Sequence, residues 1–333
     1  MLIPTGRTAP NRPAGDQIQS LTGQSMGSDW TVRLVVPPGA DLTVLQRSVE
    51  DELAMIVARF SHWDPASELS RFNAAPAGTW EMSPEFWALI TAILDIADDT
   101  NGAFDPTLGA LVNLWGFGPP GPRPADASPL PADTEITPAL TVSGWQKLRL
   151  NRLARAMAQP GGMRLDLSSV AKGHAVDRVA ERLSREGVIS HLVEIGGELR
   201  GTGVKPDAQP WWIDILQPPG APGPRTVAAL FDLSVATSGD YVRAFRHEGR
   251  TYAHTLDGRT GRPVDNGLVS VTVFHASAMM ADAYATALTV MGPIEGSAFA
   301  ADFHLAAQFV EQTSAGMVEH LTPGFIAMMN EGA

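Results

Sequence analysis

No cysteine occurs in the 333 residues, and that absence removes disulfides, thiolate zinc sites and cysteine nucleophiles together. It leaves the compartment open, because a disulfide-free chain can work in the cytoplasm or the periplasm. Basic residues are in deficit: 24 Lys and Arg stand against 36 Asp and Glu, a formal charge of -12. Such a surface repels nucleic acid and anionic membranes, so neither is expected as a partner. An anionic ligand then needs local help from a metal, a lysine or a helix N-terminus. The stretch from Met1 to Ser25 is rich in Gly, Pro, Thr and Gln and lacks an apolar run. It is expected to be a disordered arm, neither signal peptide nor membrane span. Read as written, the chain is expected to be soluble and cytoplasmic, although a trimmed precursor would look the same. No Gly-x-Gly-x-x-Gly follows an expected strand, so the Rossmann fingerprint is missing, and no internal repeat stands out.

What is present alternates between helix and strand periods. Trp30 to Val36 reads as a strand. Leu42, Leu45, Val49, Leu53, Ile56, Val57 and Phe60 recur at helical spacing. Ser83-Pro84 reads as an N-cap with proline at the first helical position, ahead of Phe86, Leu89, Ile90, Ile93, Leu94 and Ala97, with a C-cap at Asn101-Gly102. Gly118 to Pro138 and Pro206 to Arg225 are Pro/Gly-rich and are expected as surface loops. In the second half, 164–167 reads as a short strand, and Ser169 as the cap of a helix burying Val176, Val179, Ala180 and Leu183 up to Gly187. Strands are expected at 191–195, 212–216, 227–233 and 268–275, and a helix at 278–291 with Ser277 as its cap and Gly292 at its end. The pattern predicts an α+β fold with mixed β-sheets flanked by helices.

Several groups can carry chemistry, each with a plainer alternative. Asp282 and Thr286 lie four apart on one helix face, offering hard oxygen ligands for Mg²⁺ or Ca²⁺, or else a solvated aspartate beside a back-bonding threonine. Lys172 opposes the positive end of its helix dipole, which points to an anion such as phosphate, or to water or Asp166 as its partner. Gly196-Gly197 permits close approach of a ligand, or a turn. The run from Ala236 to Asp240 suits phosphate contact or a capping turn. His254 is a candidate general base or a structural histidine, and Asp257 to Gly261 is turn chemistry. Phe104, Trp115 and Phe117 suit a planar ring or core packing.

Taken in order, these motifs resemble the ApbE family, the FAD:protein FMN transferases. The match runs from Met26-Gly27-Ser28 to about Gly292. It takes in Ser67 to Asn73, Gly102 to Pro106, Asp166 to Asp177, Glu194 to Glu198, Val235 to Tyr241, His254 to Pro263 and Asp282 to Leu288. The resemblance implies a transferase domain over 26–325 with a central FAD cleft, leaving a tail at 326–333. It implies that Met26, Trp63, Ala103, Phe104, Asp105, Asp166, Lys172 and Leu256 line that cleft. It further implies that Asp282, Thr286 and an oxygen of Ser169 hold Mg²⁺, and that His254 and Asp257 lie near the reacting phosphate with His254 as base. The chain departs from the family in two places. Trp63 stands where the family often has tyrosine, and Ser169 where glycine or alanine is frequent. The expected reaction moves FMN from FAD to a Thr or Ser of an acceptor bearing Asp-Gly-x-Thr/Ser-Gly-Ala-Thr/Ser. Hydrolysis of FAD to FMN and AMP, or flavin binding without catalysis, are the alternatives. Family lipoproteins act on the periplasmic side of the inner membrane, an address that would require a trimmed form here. Asp257-Gly-Arg-Thr-Gly261 faintly resembles the acceptor motif, which raises self-flavinylation.

Overall fold

Large apolar residues at every second position, as in Trp30, Val32 and Leu34, give a strand one face to bury. The computed structural model describes residues 1–6, 10, 12–123, 128, 130–221, 225–239 and 244–330. Such strands assemble there into an eight-stranded sheet in the spatial order Ile18–Ser25, Ser28–Val35, His191–Ile195, Glu198–Thr202, Leu233–Gly239, Leu268–His275, Ala306–Thr313 and Gly316–Leu321. Every neighbouring pair in it is antiparallel. Parallel pairing is confined, among the described residues, to isolated bridges at Leu2 with Ala228 and Leu108 with Arg164. The expected α+β mixture is what the chain adopts.

Contacts divide the expected single domain into two units interleaved in sequence. The first takes Met1–Met55, Ser169–Gly239 and Gly267–Ala333, and the second Ile56–Ser168 and Asp240–Asn266. In the first unit both faces of the sheet are covered, so the central strand Leu268–His275 buries consecutive residues instead of alternating. The helices Ala171–Arg185 and Ala278–Asp302 pack on one face. On the other, Val35, Leu192, Val235 and Phe274 meet Trp211, Ile213, Phe325 and Met328. Leu2 belongs to that cluster and is fully buried, and the strand Ile18–Ser25 is paired along its length, within the stretch expected as a disordered arm. The backbone of the Ala278–Asp302 helix breaks at Gly292 (φ 82°, ψ 178°), where the sequence places its end.

The second unit has its own core, in which Leu108, Leu111, Trp115, Ile136 and Leu256 are buried together. The helices Glu68–Ala74 and Pro84–Asp99 begin at Ser67 and Ser83, whose hydroxyls accept from the amides of Ser70 and Phe86. Two expectations need correction. Residues 164–167 form no strand beyond the single bridge at Arg164. The Asn73 amide takes up both polar groups of Leu165 instead, accepting from its N–H (2.7 Å) and donating to its C=O (2.8 Å). A helix at Asp133–Val142 lies partly inside the expected 118–138 loop. No helix among the described residues is long and apolar enough to cross a membrane.

Candidate functional site

The candidate residues fall into a set on each unit. In the first unit, Ser277 caps the helix Ala278–Asp302 through the amide of Met280, and Asp282 and Thr286 follow one turn apart on one face. Asp282 is only 6% exposed. Its Oδ2 accepts from the Gly173 amide (3.2 Å), and its Oδ1 has no hydrogen-bond partner among the described residues. Residue 173 has to be glycine for this approach, since a Cβ there would stand 2.4 Å from the Ala278 carbonyl oxygen and 2.9 Å from Asp282 Cβ. The Thr286 hydroxyl meets that of Ser238 (3.3 Å), which the strand Leu233–Gly239 delivers. Of the motif from Val235 to Tyr241, Asp240 and Tyr241 lie outside the described residues.

Lys172 opens the neighbouring helix Ala171–Arg185, and its ammonium donates to both carboxylate oxygens of Glu198 (2.8 and 3.0 Å). The sequence offers phosphate, water or Asp166 as its partner; the fold supplies Glu198. Gly196-Gly197 is the two-residue turn between paired Ile195 and Glu198, with φ of 62° and 105°. It sets Glu198 beside Lys172, and a Cβ on Gly196 would lie 3.0 Å from Lys172 Cδ. Burial raises the pKa of both Glu198 and Asp282. The Asp282 charge raises Glu198 further, while Lys172 pulls both back. Ser169 is not the helix cap. The helix starts at Ala171 behind Val170, which makes no side-chain cap bond, so Ser169 stays in the preceding turn without a hydrogen bond to Asp282 or Thr286. Met26 stands at the tip of the Met26-Gly27 hairpin turn with φ of 51°, a left-handed conformation uncommon outside glycine.

These oxygens fit a hard divalent cation on stated terms. Mg²⁺ is commonly held by one or two carboxylates, with substrate phosphates and water completing its shell. Asp282 offers a buried carboxylate with an unused oxygen, and Thr286 a hydroxyl on the same face. Among the described residues no group of three His, Cys, Asp or Glu could hold a metal. Asp282 and Thr286 therefore supply two of the oxygens such an ion takes and do not complete its shell.

In the second unit, the Trp63 indole is 56% exposed, and the His62 ring meets it edge-on at 5.4 Å. His62 Nδ1 also lies 3.6 Å from Asp166 Oδ1, so this histidine links two candidate residues that are distant in sequence. Asp166 Oδ1 accepts from the Ser168 amide (2.8 Å). Ala103 and Phe104 are buried. Asp105 accepts from the amide (2.8 Å) and hydroxyl (2.6 Å) of Thr107 and from the Trp145 amide (3.3 Å), while burial raises its pKa against those bonds. His254 follows the strand Arg250–Ala253, with Phe117 edge-on to its ring at 6.3 Å. Leu256 is core. Asp257 pairs across a short hairpin with Arg262, and its carboxylate accepts from the Arg259 amide (2.8 Å) and guanidinium (2.9 Å). Gly258 packs the turn against Leu108 and Asp105, where its Cβ would lie 3.2 Å from Leu108 Cδ2 and 3.8 Å from Asp105 Cβ. The Trp115 indole donates to the Gly261 carbonyl (2.8 Å), a core role rather than a ring-flanking one.

Sequence reasoning did not single out His62 or the part Glu198 plays toward Lys172, because each acts on a residue far away along the chain. The only local signals were a histidine beside Trp63 and an acid just after a Gly-Gly turn.

Comparison with known proteins gives concordant results. The model of the ApbE family matches residues 26–309. A FAD:protein FMN transferase of Vibrio cholerae is 36% identical over 314 residues, covering 92% of this chain and 91% of the relative. The apo crystal structure of Pseudomonas stutzeri flavinyl transferase ApbE superposes with a TM-score of 0.86 at 38% identity, covering 94% of this chain and 97% of the other. The flavin transferase ApbE structure from Vibrio cholerae gives 0.84 at 33% identity, over 94% and 100%.

Proposed function

The chain belongs to the ApbE family, and from that premise we propose that it is a FAD:protein FMN transferase, using Mg²⁺ to move the FMN half of FAD onto a Thr or Ser hydroxyl and releasing AMP. The observation that carries the metal-dependent part is Asp282: a buried carboxylate with one oxygen bonded to Gly173, the other unused, Thr286 on the same face and Lys172 nearby.

Charge dictates the division of labour. The diphosphate of FAD is anionic and the protein carries a net charge of -12, so binding requires concentrated local positive charge. Lys172 supplies one cation, held ready by Glu198. Bound Mg²⁺, seated by Asp282 and Thr286 with an oxygen from the turn at Ser169, would neutralise phosphate oxygens as their charge grows. Trp63 offers an exposed aromatic face for a planar ring, with Met26, Ala103 to Asp105, Asp166 and Leu256 as the other residues assigned to FAD.

A Thr or Ser hydroxyl is a weak nucleophile at neutral pH, so its proton has to be taken as the oxygen attacks. His254 is the residue chemically suited to that role, because the Asp257 carboxylate is already bonded to Arg259. The hydroxyl oxygen bonds to the phosphorus on the FMN side, the bond from that phosphorus to the bridging oxygen breaks, and AMP leaves with that oxygen. The acceptor is expected to present the Asp-Gly-x-Thr/Ser-Gly-Ala-Thr/Ser motif. The chain's own partial copy is a poor acceptor: the Thr260 hydroxyl accepts from the Arg262 amide (3.2 Å) within its turn.

The test combines purified protein, FAD, Mg²⁺ and an acceptor domain bearing the motif. Flavin fluorescence retained by the acceptor on a denaturing gel supports the proposal. Free FMN and AMP with an unlabelled acceptor would mean a hydrolase, and no turnover at all a binding protein. Asp282→Ala is expected to lower transfer by at least about 100-fold, a loss in keeping with the several kcal/mol that metal neutralisation contributes. Full activity in that variant would sink the metal assignment.

A further inference from the structure

The first turn of the helix that carries Asp282 and Thr286 is held from outside by a buried carboxylate. A helix leaves its first N–H groups without partners inside itself. Ser277 satisfies the Met280 amide with its own hydroxyl, and Asp177 takes two of the others. Asp177 Oδ1 accepts from the Ala278 amide (3.0 Å), and Oδ2 from the Met279 amide (3.0 Å) and the Ser277 hydroxyl (2.6 Å). Arg200, from the strand Glu198–Thr202, donates to Oδ1 as well. Asp177 is 7% exposed, and its carboxylate carries four hydrogen bonds, one of them to a guanidinium. Charge-assisted bonds of this kind are the strong ones.

The contact is one of two at matched spacing. Asp177 lies four residues after Gly173, on the same face of Ala171–Arg185. Asp282 lies four residues after Ala278 on the facing helix. Asp177 grips the amides of Ala278 and Met279, and Gly173 donates to Asp282. The order is reversed between the helices, so they run antiparallel here, and the two contacts sit one turn apart on each. A single contact would leave a helix free to roll or slide about it. Two contacts a turn apart remove both motions.

We propose that Asp177 is a positioning residue for the cation site: it sets the roll and height of the Ala278–Asp302 helix so that Asp282 spends one oxygen on Gly173 and presents the other, beside Thr286, to the divalent ion. This inference rests on the metal role assigned to Asp282 above. Arg200 supports Asp177, and Ser277 belongs to the same lock.

The experiment titrates Mn²⁺ into the full-length chain with FAD present and no acceptor, following the free-ion electron paramagnetic resonance signal. Asp177→Asn keeps the shape but turns an N–H₂ toward the amides of the helix start. Loss of an outer-shell partner typically weakens metal binding by about 10–100-fold, and that weakening is the expected result. The FAD dissociation constant in EDTA should stay within about twofold of the parent's. A purely structural role would lower the melting temperature and the number of competent sites, yet leave the Mn²⁺ affinity of those sites unchanged; that outcome overturns the proposal. Ser277→Ala removes one of the four bonds and keeps the test available if Asp177→Asn does not fold. It should also weaken Mn²⁺ binding, and unchanged affinity there counts against the lock equally. Asp282→Ala separates the two levels: if it binds Mn²⁺ like the parent the metal reading itself fails, whereas loss in Asp282→Ala with none in Asp177→Asn defeats only this inference.

Discussion

Asp257 and His254 stand three residues apart in one motif, yet their surroundings assign them different work. The Asp257 carboxylate is bonded to the amide and guanidinium of Arg259, and its backbone carbonyl accepts from the Gly261 amide (2.8 Å). Those bonds build the turn between Leu256–Asp257 and Arg262–Pro263 and occupy the carboxylate in holding it. His254 follows the strand Arg250–Ala253, meets Phe117 edge-on, and as an imidazole is the side chain whose ordinary chemistry suits proton transfer near neutral pH. The two substitutions should therefore separate in kinetics. His254→Ala is expected to cut kcat for transfer by about 10²–10⁴-fold, the usual worth of a general base, with little change in the KM for FAD. Asp257→Asn should cost about tenfold or less, with part of the loss in KM, because an amide still accepts from the Arg259 amide. Steady-state transfer assays on both variants decide this, and a larger kcat loss in Asp257→Asn than in His254→Ala would reverse the assignment.

Caps and periodicity made the regular elements readable before any coordinates. Ser83-Pro84, the helical spacing from Leu42 to Phe60 and the β-branched run Leu268–His275 each carry their own local signal. The helix Asp133–Val142 was hidden by the Pro/Gly-rich composition around it. Its interior Pro138 argues against helix, while Ile136, Ala139 and Leu140 bury a face that only the tertiary core rewards. Site residues follow the same division. Asp282 and Thr286 are legible because i, i+4 spacing fixes a shared face, but Glu198, Asp177 and His62 act across space on residues from other elements. The one local hint for Asp177 was an acid among Val176, Val179 and Ala180 on a helix. The Met26-Gly27 turn combines both kinds of information. Both residues have positive φ in a two-residue hairpin loop, the geometry of a type I′ turn, for which Asn-Gly is the preferred pair. Holding methionine there costs about 1 kcal/mol. Met26→Asn should thus raise stability by about 0.5–1 kcal/mol in urea unfolding. If Met26 contacts FAD, the same variant should bind FAD more weakly. Lower stability would refute the turn argument, and unchanged FAD affinity would remove Met26 from the site.

The protein as a whole carries a charge of -12 at neutral pH, so acidification first relieves repulsion among its carboxylates. His191 works in the opposite direction. It lies on the strand His191–Ile195, fully buried. Its Nδ1 lies 3.0 Å from the Val188 carbonyl and must carry the proton, since a carbonyl only accepts. Nε2 has no hydrogen-bond partner among the described residues. Burial pushes its pKa down from 6.5 to about 4, and burial brings His174 to about 4 as well. Between those values the unfolded chain binds a proton that the folded chain refuses. Folding stability is therefore intact above pH 6.5 and is lost as pH falls toward 4. A displacement of that size corresponds to about 2–3 kcal/mol for His191 by pH 4.5. His191→Leu removes the titration and the bond to Val188, the latter costing about 1 kcal/mol at every pH. The variant should be less stable than the parent at pH 7.5, and the gap should close or reverse by pH 4.5. Comparing the two chains at each pH cancels the surface charges they share, so urea midpoints at both pH values isolate the histidine. Parallel stability curves would show that His191 is protonated in the folded protein after all.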